Sequence, residues 1–330
     1  MKAVVYKEYG GPDVLHVQDV EKPEPAADQV LIGVRAVEAT KADCEMRSFK
    51  FAVSWFWLPL RIALGLRKPR NPILGNYFAG VVEATGNDVS GFSMGQRVFG
   101  AAGLRMGAYA EHLCIADSCT MVTMPMNMTF AEAASVPLGG LNALHFMRKA
   151  DIRQGDKVLV NGAGASIGTF AVQIAKAMGG EVTAVDSSIK EAMLRDIGAD
   201  HFVDYAKEDF TKRGDTYDVI FSMVAQTSYS SCVRALKPGG RYVMANPKLS
   251  DMLRSPVTSR FSDRKVFFAF AGEKKEELLE LKRMIDAGEI AATVDKIYPI
   301  TQAAEAHRRV ETEQRLGTVV ISVGSGDPQN

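Results

Sequence analysis

The sequence predicts an α/β fold in two parts, one β-rich and one built on a doubly wound parallel sheet, and three observations carry that expectation. Over residues 1–120, short runs of β-branched residues alternate with Gly, Pro and Asp turns. From Thr129 onward, apolar strands alternate with stretches of helical spacing, the pattern of parallel βαβ units. Within that second part, Lys157 to Asp186 joins a strand, a glycine-rich turn, a helix and a second strand that ends in an acid. A length of 330 residues accords with two domains.

The Lys157–Asp186 stretch organises the chain. An apolar run, Val158 to Val160, enters a turn containing Gly162, Gly164, Ala165, Ser166, Ile167 and Gly168. A helix follows with Phe170, Ile174 and Ala177 on one side, and then the strand Val182 to Val185. Small residues let a backbone approach a pyrophosphate, and the N–H groups and dipole of the helix start favour its negative charge. Asp186 stands 18 residues beyond Gly168 (186 − 168), near the separation expected of a carboxylate that binds ribose hydroxyls. Gly-x-Gly-x-x-x-Gly is one residue longer than the common fingerprint, so the flanking strands and the acid complete the dinucleotide reading. Asp186 should repel a 2′-phosphate and favour NADH. Ser187, Ser188, Lys190 and Tyr205 could instead form a phosphate pocket if Asp186 turns away, so NAD(P)H is expected with NADH slightly favoured.

Taken in order, the β-rich part has strands at Ala3–Tyr6, Val14–Val17, Gln29–Ala36 and Gly80–Thr85, a turn into a strand over Gly91–Val98, and a strand at Tyr109–Ile115. These predict a small antiparallel, barrel-like domain. Phe49–Arg70 breaks the pattern: it holds Trp55 and Trp57, is interrupted by Pro59 and is flanked by basic residues. It reads as a helical flap on the barrel, an apolar lid over a substrate, or a membrane-surface helix. Phe130–Phe146 has helical spacing. Beyond the nucleotide unit, strands are expected near Phe202–Val203, Asp218–Ser222, Arg241–Ala245 and Val266–Phe270, with helices around Lys190–Ile197 and Ser228–Leu236. Lys237-Pro238-Gly239-Gly240 reads as a helix stop and turn. A charged amphipathic helix at Glu273–Ala287, the strand Ile297–Pro299, the helix Thr301–Val310 and the strand Thr318–Val323 complete the fold. Gly324–Asn330 has no apolar residue to bury and should be disordered.

Composition excludes some classes. Hydrophobic content of 47% and charged content of 24% are those of an ordinary globular protein. A formal net charge of zero gives no electrostatic case for nucleic acid or an anionic membrane surface. Cys44, Cys114, Cys119 and Cys232 have no Cys-x-x-Cys spacing, which predicts reduced thiols in a cytoplasmic protein. Met-Lys-Ala-Val-Val-Tyr at the start reads as a strand and not as a signal peptide. No apolar run reaches about 18 residues, so stable membrane insertion is not expected. The five histidines, His16, His112, His145, His201 and His307, read as surface or satisfied core residues.

On these motifs the chain resembles the medium-chain dehydrogenase/reductase superfamily, in its zinc-independent quinone-oxidoreductase-like branch. Met1–Tyr6, Gly10-Gly11-Pro12, Asp43–Arg47, Gly75–Gly86, Gly95–Gly100, Ala134–Leu144, Lys157–Ile174, Gly198–Tyr205, Leu236–Gly240 and Gly317–Ile321 carry the resemblance. It implies a discontinuous GroES-like catalytic domain (1–122 and 272–330) and a Rossmann NAD(P)-binding domain (123–271). It also implies an active site in the cleft between them and a homodimer in which the last strand of the nucleotide sheet often pairs across. Asn142 and Asn246 complete the cofactor-binding candidates.

Zinc-dependent relatives place a cysteine where this chain has Thr40, a His-Glu pair at Asn76-Tyr77 and a second cysteine close to Leu138. The cysteines of the structural zinc lobe are also missing around Ala101–Glu111. Zinc is held by soft or imidazole donors, so no metal site is expected. Branch members often carry Asn at the Thr40 position and Asp at the Tyr77 position.

These readings converge on hydride transfer to a quinone or the activated C=C of a small hydrophobic electron acceptor. Without zinc nothing polarises an alcohol or ketone, whereas an enone or quinone has its own electrophilic carbon. Thr40 and Tyr77 are the catalytic candidates, as hydrogen-bond donors to a developing enolate oxygen; Tyr77 reads as a donor or acid, or as a packed aromatic wall. A zinc-free alcohol dehydrogenase or carbonyl reductase using a tyrosine acid, and a weakly catalytic NAD(P)H-binding redox sensor, stay open. Phe49–Arg70 lies between an expected active-site strand at Thr40–Asp43 and Gly75-Asn76-Tyr77, which predicts an apolar cover for the substrate.

Overall fold

The computed structural model describes residues 1–51, 61, 62, 64–269 and 272–324. Trp55, Trp57 and Pro59 of the expected lid, and the tail from 325, lie outside the described residues. The chain forms two compact units. One comprises Met1–Leu138, Glu273–Asp286 and Ala292–Asn330; the other comprises Gly139–Gly272 and Ala287–Ala291. They part at Leu138/Gly139, where the sequence reading divides the chain at 122/123.

The first unit is built on β3 (Gln29–Ala39), after the small antiparallel pair β1 (Lys2–Val5) and β2 (His16–Asp19). Its seven-stranded sheet runs β14 (Val294–Pro299), β15 (Thr318–Ser322), β3, β4 (Tyr77–Thr85), β5 (Arg97–Ala101) and β7 (Met121–Thr123), with β6 (His112–Ala116) also on β3. An eleven-residue strand serves β15, β4 and β6 because register shifts at Leu31/Ile32 and Val34/Ala36 bend it. Val30, Ile32, Phe78, Val98, Ile115 and Val319 are fully buried in its core. Helices α1 (Lys41–Ser48), α2 (Phe130–Ala134), α8 (Lys275–Asp286) and α9 (Ala303–Glu311) pack around it.

The strand expected at Thr40–Asp43 is corrected here: these residues begin α1. Thr40 is the N-cap. Its hydroxyl accepts from the Asp43 N–H, and the Asp43 carboxylate accepts from the Thr40 N–H, a reciprocal capping box.

The second unit takes up the chain within α3 (Val136–Ala150) and has a six-stranded sheet. Its strands are β8 (Lys157–Asn161), β9 (Glu181–Asp186), β10 (His201–Asp204), β11 (Tyr217–Ser222), β12 (Leu236–Met244) and β13 (Lys265–Phe268). Their order is β10-β9-β8-β11-β12-β13 and every pairing is parallel, which is the doubly wound order 3-2-1-4-5-6. Helices α4 (Ser166–Ala177), α5 (Glu191–Asp196), α6 (Tyr229–Arg234) and α7 (Leu249–Phe261) connect them. The expected turn at Lys237–Gly240 is carried inside β12 instead. The register against β11 jumps from Tyr217↔Leu236 to Val219↔Arg241, and Gly239 takes φ +74° to make the jump. Helix α7 is an element the sequence reading does not contain.

Candidate active site

In the second unit the dinucleotide candidates gather at the C-terminal ends of the strands. Gly162 leaves β8 with φ +89°, and its N–H donates to Val185 O, so the turn is tied to the end of β9. A Cβ at Gly168 would lie 2.4 Å from Gly162 O and 2.5 Å from Ala163 O; only glycine lets α4 start this close to the turn. The N-cap of α4 is Ala165, whose side chain cannot cap. The first N–H groups of a twelve-residue helix are therefore without a side-chain acceptor at their own N-cap. Ser166 is buried and its Oγ has no hydrogen-bond partner among the described residues. Uncapped donors, an orphaned hydroxyl and a glycine cradle fit a pyrophosphate. Ile167 is half-buried in the first turn of the same helix.

Asp186 ends β9 and is nearly fully buried. Its Oδ2 accepts the Gly164 N–H at 2.8 Å, its Oδ1 accepts the Ser187 N–H at 2.8 Å, and Oδ1 pairs with Lys190 Nζ at 2.9 Å. The carboxylate thus faces the turn, as the motif requires, but both oxygens are engaged and a buried ammonium offsets its charge. Tyr205 joins through its backbone, donating its N–H to Asp186 O, while its ring is exposed. Asn246, beyond β12, is exposed and donates to Met223 O. Asn142 lies half-buried in α3. Sequence reasoning missed Asn161, the last residue of β8, whose amide donates to Ser222 Oγ and Thr227 Oγ1 and so fixes the strand ends on both sides of the order reversal.

In the first unit the catalytic candidates sit at the same end of the sheet, Thr40 just past the end of β3 and Tyr77 at the start of its antiparallel neighbour β4, where Val37 pairs with Phe78. Asp43 is fully buried beside the first of them. Its Oδ2 accepts the Thr40 hydroxyl at 2.6 Å and the Thr40 N–H at 3.0 Å, and its Oδ1 accepts the Gly75 N–H at 3.2 Å. Thr40 is buried and its one hydroxyl hydrogen goes to Asp43. Burial pushes the Asp43 carboxyl up, and the hydrogen bonds from Thr40, Gly75 and Tyr109 oppose that.

Behind Asp43 a chain of polar groups crosses the core to α9. Tyr109 Oη donates to Asp43 at 3.4 Å and lies 3.0 Å from His307 Nε2. His307 Nδ1 lies 3.2 Å from an Arg47 Nη. Arginine has only donors, so Nδ1 accepts and the ring proton sits on Nε2, aimed at Tyr109. Arg47 also donates to Gly10 O and pairs with Glu311. His307 is thus a satisfied core residue, as expected, but one wired to the site.

Tyr77 opens β4, half-buried, near Glu273, which accepts the Asn76 amide at 2.9 Å. Burial, then the nearby charges of Glu273 and Glu38, hold the Tyr77 phenol far above its ordinary value. Sequence reasoning missed Glu273 too, because nothing local in the chain signals a contact with a residue 197 positions away.

At or close to the positions where the resemblance places the zinc ligands of zinc-dependent relatives, this chain presents a capped threonine hydroxyl, an amide, a phenol and an aliphatic side chain: Thr40, Asn76, Tyr77 and Leu138. Among the described residues no group of three or more His, Cys, Asp or Glu is placed to hold a metal ion. No helix among them is long and apolar enough to cross a membrane.

Two family profiles match the chain: "Alcohol dehydrogenase GroES-like domain" over residues 26–142 and "Zinc-binding dehydrogenase" over residues 197–321. The chain is 30% identical to the chloroplastic NADPH-dependent alkenal/one oxidoreductase of Arabidopsis thaliana, over 97% of this chain and 79% of that protein. It is 28% identical to a quinone oxidoreductase of Pseudomonas aeruginosa, over 97% of this chain and 99% of that protein. Among solved structures, the quinone oxidoreductase from Coxiella burnetii superposes with a TM-score of 0.86 at 27% identity, covering 98% of this chain and 99% of that one.

Proposed function

Since this chain belongs to the medium-chain dehydrogenase/reductase superfamily, in its quinone-oxidoreductase-like branch, we propose that it is a zinc-independent reductase that uses NAD(P)H to reduce a quinone or the activated C=C of a hydrophobic substrate. That it is an NAD(P)H-dependent oxidoreductase accords with relatives named as quinone and alkenal/one oxidoreductases. The observation that carries the finer reading is the donor set at Thr40, Asn76, Tyr77 and Leu138, none of which is a soft or imidazole ligand.

Hydride is the chemistry that a bound nicotinamide cofactor supplies. This chain's residues bind and orient it. The uncapped start of α4, with the Ser166 hydroxyl, receives the pyrophosphate, and Asp186 with Lys190 meets the adenosine ribose. NADH is favoured: a 2′-phosphate brings about two negative charges, as phosphate esters do near neutrality, against one ammonium already paired to Asp186. The proton of the reduction comes from water, because the Thr40 hydrogen is directed at Asp43 and burial with the nearby charge of Glu273 makes the Tyr77 phenol hold its proton. This disfavours alcohol or ketone chemistry, which needs an acid at the oxygen in the transition state. A homodimer in the cytoplasm, with its four cysteines free, is part of the proposal.

The test is stopped-flow oxidation of bound NADH and NADPH by a panel of quinones, enones and enals, with saturated aldehydes and ketones as comparators. Turnover of the comparators at rates matching the quinones and enones would overturn the substrate class. Oxidation by none of the panel would favour a sensor with little catalysis.

A further inference from the structure

Two carboxylates stand at the end of the first sheet that holds Tyr77. Val37 of β3 pairs with Phe78 of β4, and the next step of that antiparallel register sets Glu38 opposite Tyr77. Residues opposite one another in such a pair share a face of the sheet, so the Glu38 carboxylate and the Tyr77 ring stand on the same side. Glu38 is 2% exposed. Glu273 comes to the same place from just before α8, and its Oε1 accepts the amide of Asn76, the residue before Tyr77, at 2.9 Å. The Thr120 hydroxyl donates to Glu273 O at 3.1 Å and holds the backbone there. The cations next in the chain are engaged elsewhere: Lys274 Nζ is 4.0 Å from Glu277, and Lys275 Nζ lies 5.2 Å over the Phe92 ring. Among the described residues Glu273 has no ion-pair partner. Both carboxylates act on the Tyr77 phenol in the same sense, as negative charge.

We propose that Glu38 and Glu273 make this end of the sheet selective for charge: it takes neutral or cationic hydrophobic acceptors and turns away those with an anionic group beside the reducible bond. The inference rests on the reading above that the acceptor lies at Tyr77, and it narrows the acceptor class. Apolar surroundings alone disfavour every charged acceptor, since an ion of either sign loses its hydration. Fixed negative charge separates the two signs. A unit charge about 4 Å from another is worth a factor of about five in bulk water and far more where water is excluded. Glu273 is exposed, which sets its effect toward the lower end.

The experiment uses the full chain and phenyl enones or phenyl-1,4-benzoquinones that differ in a single para group: methyl, sulfonate or trimethylammonium. Their kcat/KM values are compared in the parent, Glu273→Gln and Glu38→Gln, with circular dichroism to show the fold. Glu273→Gln keeps an acceptor for Asn76 at an exposed position, so it carries the test if the buried variant, Glu38→Gln, does not fold. The intrinsic reactivity of each acceptor cancels in the parent-to-variant comparison. Glu273→Gln should raise the sulfonate-to-methyl ratio about tenfold and lower the trimethylammonium-to-methyl ratio by a similar factor. In the parent, raising the ionic strength from about 0.01 M to about 0.15 M, which shortens the Debye length from about 30 Å to about 8 Å, should narrow the discrimination, and in the variant it should change little. Ratios that neither the substitution nor salt moves, with the methyl acceptor still reduced, overturn the charge selection and leave the reductase standing. Rejection of both charged acceptors alike in parent and variant assigns the discrimination to apolar contact and also overturns it. A parent that reduces none of the acceptors overturns the reductase reading and this inference together.

Discussion

His307 offers a sharp test of the polar chain behind Thr40. The imidazole is fully buried, and burial together with the charge of Arg47 pushes it down to about 3. In the unfolded chain it titrates near 6.5, as an ordinary histidine does. Below that pH the unfolded state therefore binds a proton that the folded state refuses, so stability rises with pH and is lost as pH falls through the window from about 6.5 toward about 3. The slope for one such group is about 1.4 kcal/mol per pH unit. Replacing His307 with Gln keeps an acceptor for Arg47 and a donor for Tyr109 but removes the titration. Imperfect geometry at two buried partners should cost the variant about 1–3 kcal/mol at neutral pH. Between about pH 6.5 and about pH 4.5 the parent should then lose about 2–3 kcal/mol more than the variant, so the two converge or cross. Urea unfolding at several pH values reads this directly. The comparison cancels the carboxylates common to both proteins, including Asp43 and Glu311, along with the Cys44 thiol and Tyr109 phenol that also face the ring. A parent-to-variant difference that is flat with pH would refute the neutral, buried imidazole and the hydrogen-bond direction assigned from it.

Four further outcomes are expected. Asp186→Ser should lower the ratio of kcat/KM for NADH over NADPH by about tenfold or more, since one repelling charge is removed and Lys190 is released, a change of about 1.4 kcal/mol; a parent that already prefers NADPH contradicts the reading. Tyr77→Phe should reduce kcat by less than about tenfold, whereas loss of a general acid costs about 10²–10⁴; a drop in that larger range restores Tyr77 as the acid. Elemental analysis of purified protein should find no stoichiometric zinc, and chelators should leave activity unchanged; about one metal per chain, the stoichiometry of a catalytic site, would sink the zinc-independent reading. Trp55→Ala and Trp57→Ala should raise KM for bulky acceptors more than for small ones, each large side chain contributing roughly 1.5–3 kcal/mol when buried; equal losses would make the segment a structural flap.

What could be read from the residues follows from how local the signal is. The turn at Gly162–Gly168 and the acid at Asp186 are legible because the chemistry and the geometry lie within one βαβ unit. Most strands of both sheets are legible because their apolar runs face a core, whereas the three-residue β7 is too short to show a pattern. Helix α7 escaped because its apolar residues face outward and Pro256 interrupts it, so its pattern does not match a helix that buries its apolar side. Helix α1 escaped although its signal is present: Thr40 and Asp43 stand three apart, the spacing of a capping box with Asp in place of the usual Glu. Lys190 was legible as a phosphate ligand by type, yet nothing in the chain says that it spends its charge on Asp186. Glu273 and His307 could not be placed at all, since their partners are 197 and 198 to 263 positions away.

The partners of Thr40 and Tyr77, one local and one distant in the chain, bear on the chemistry. A hydroxyl in the right position reads as a donor, but it has one hydrogen, and its direction is set by the strongest acceptor within reach. For Thr40 that acceptor is Asp43; beside Tyr77 stands the charge of Glu273. Each carboxylate raises the cost of removing the hydrogen, so both hydroxyls are poor acids despite their positions. An acceptor with its own electrophilic carbon needs little from them, since an enone or quinone spreads the arriving charge over its conjugated oxygen before water protonates it. A saturated ketone concentrates that charge on one oxygen and needs a proton or a cation there as the bond forms. On the proposed function, the carboxylates beside these two hydroxyls favour an acceptor that brings its own activation.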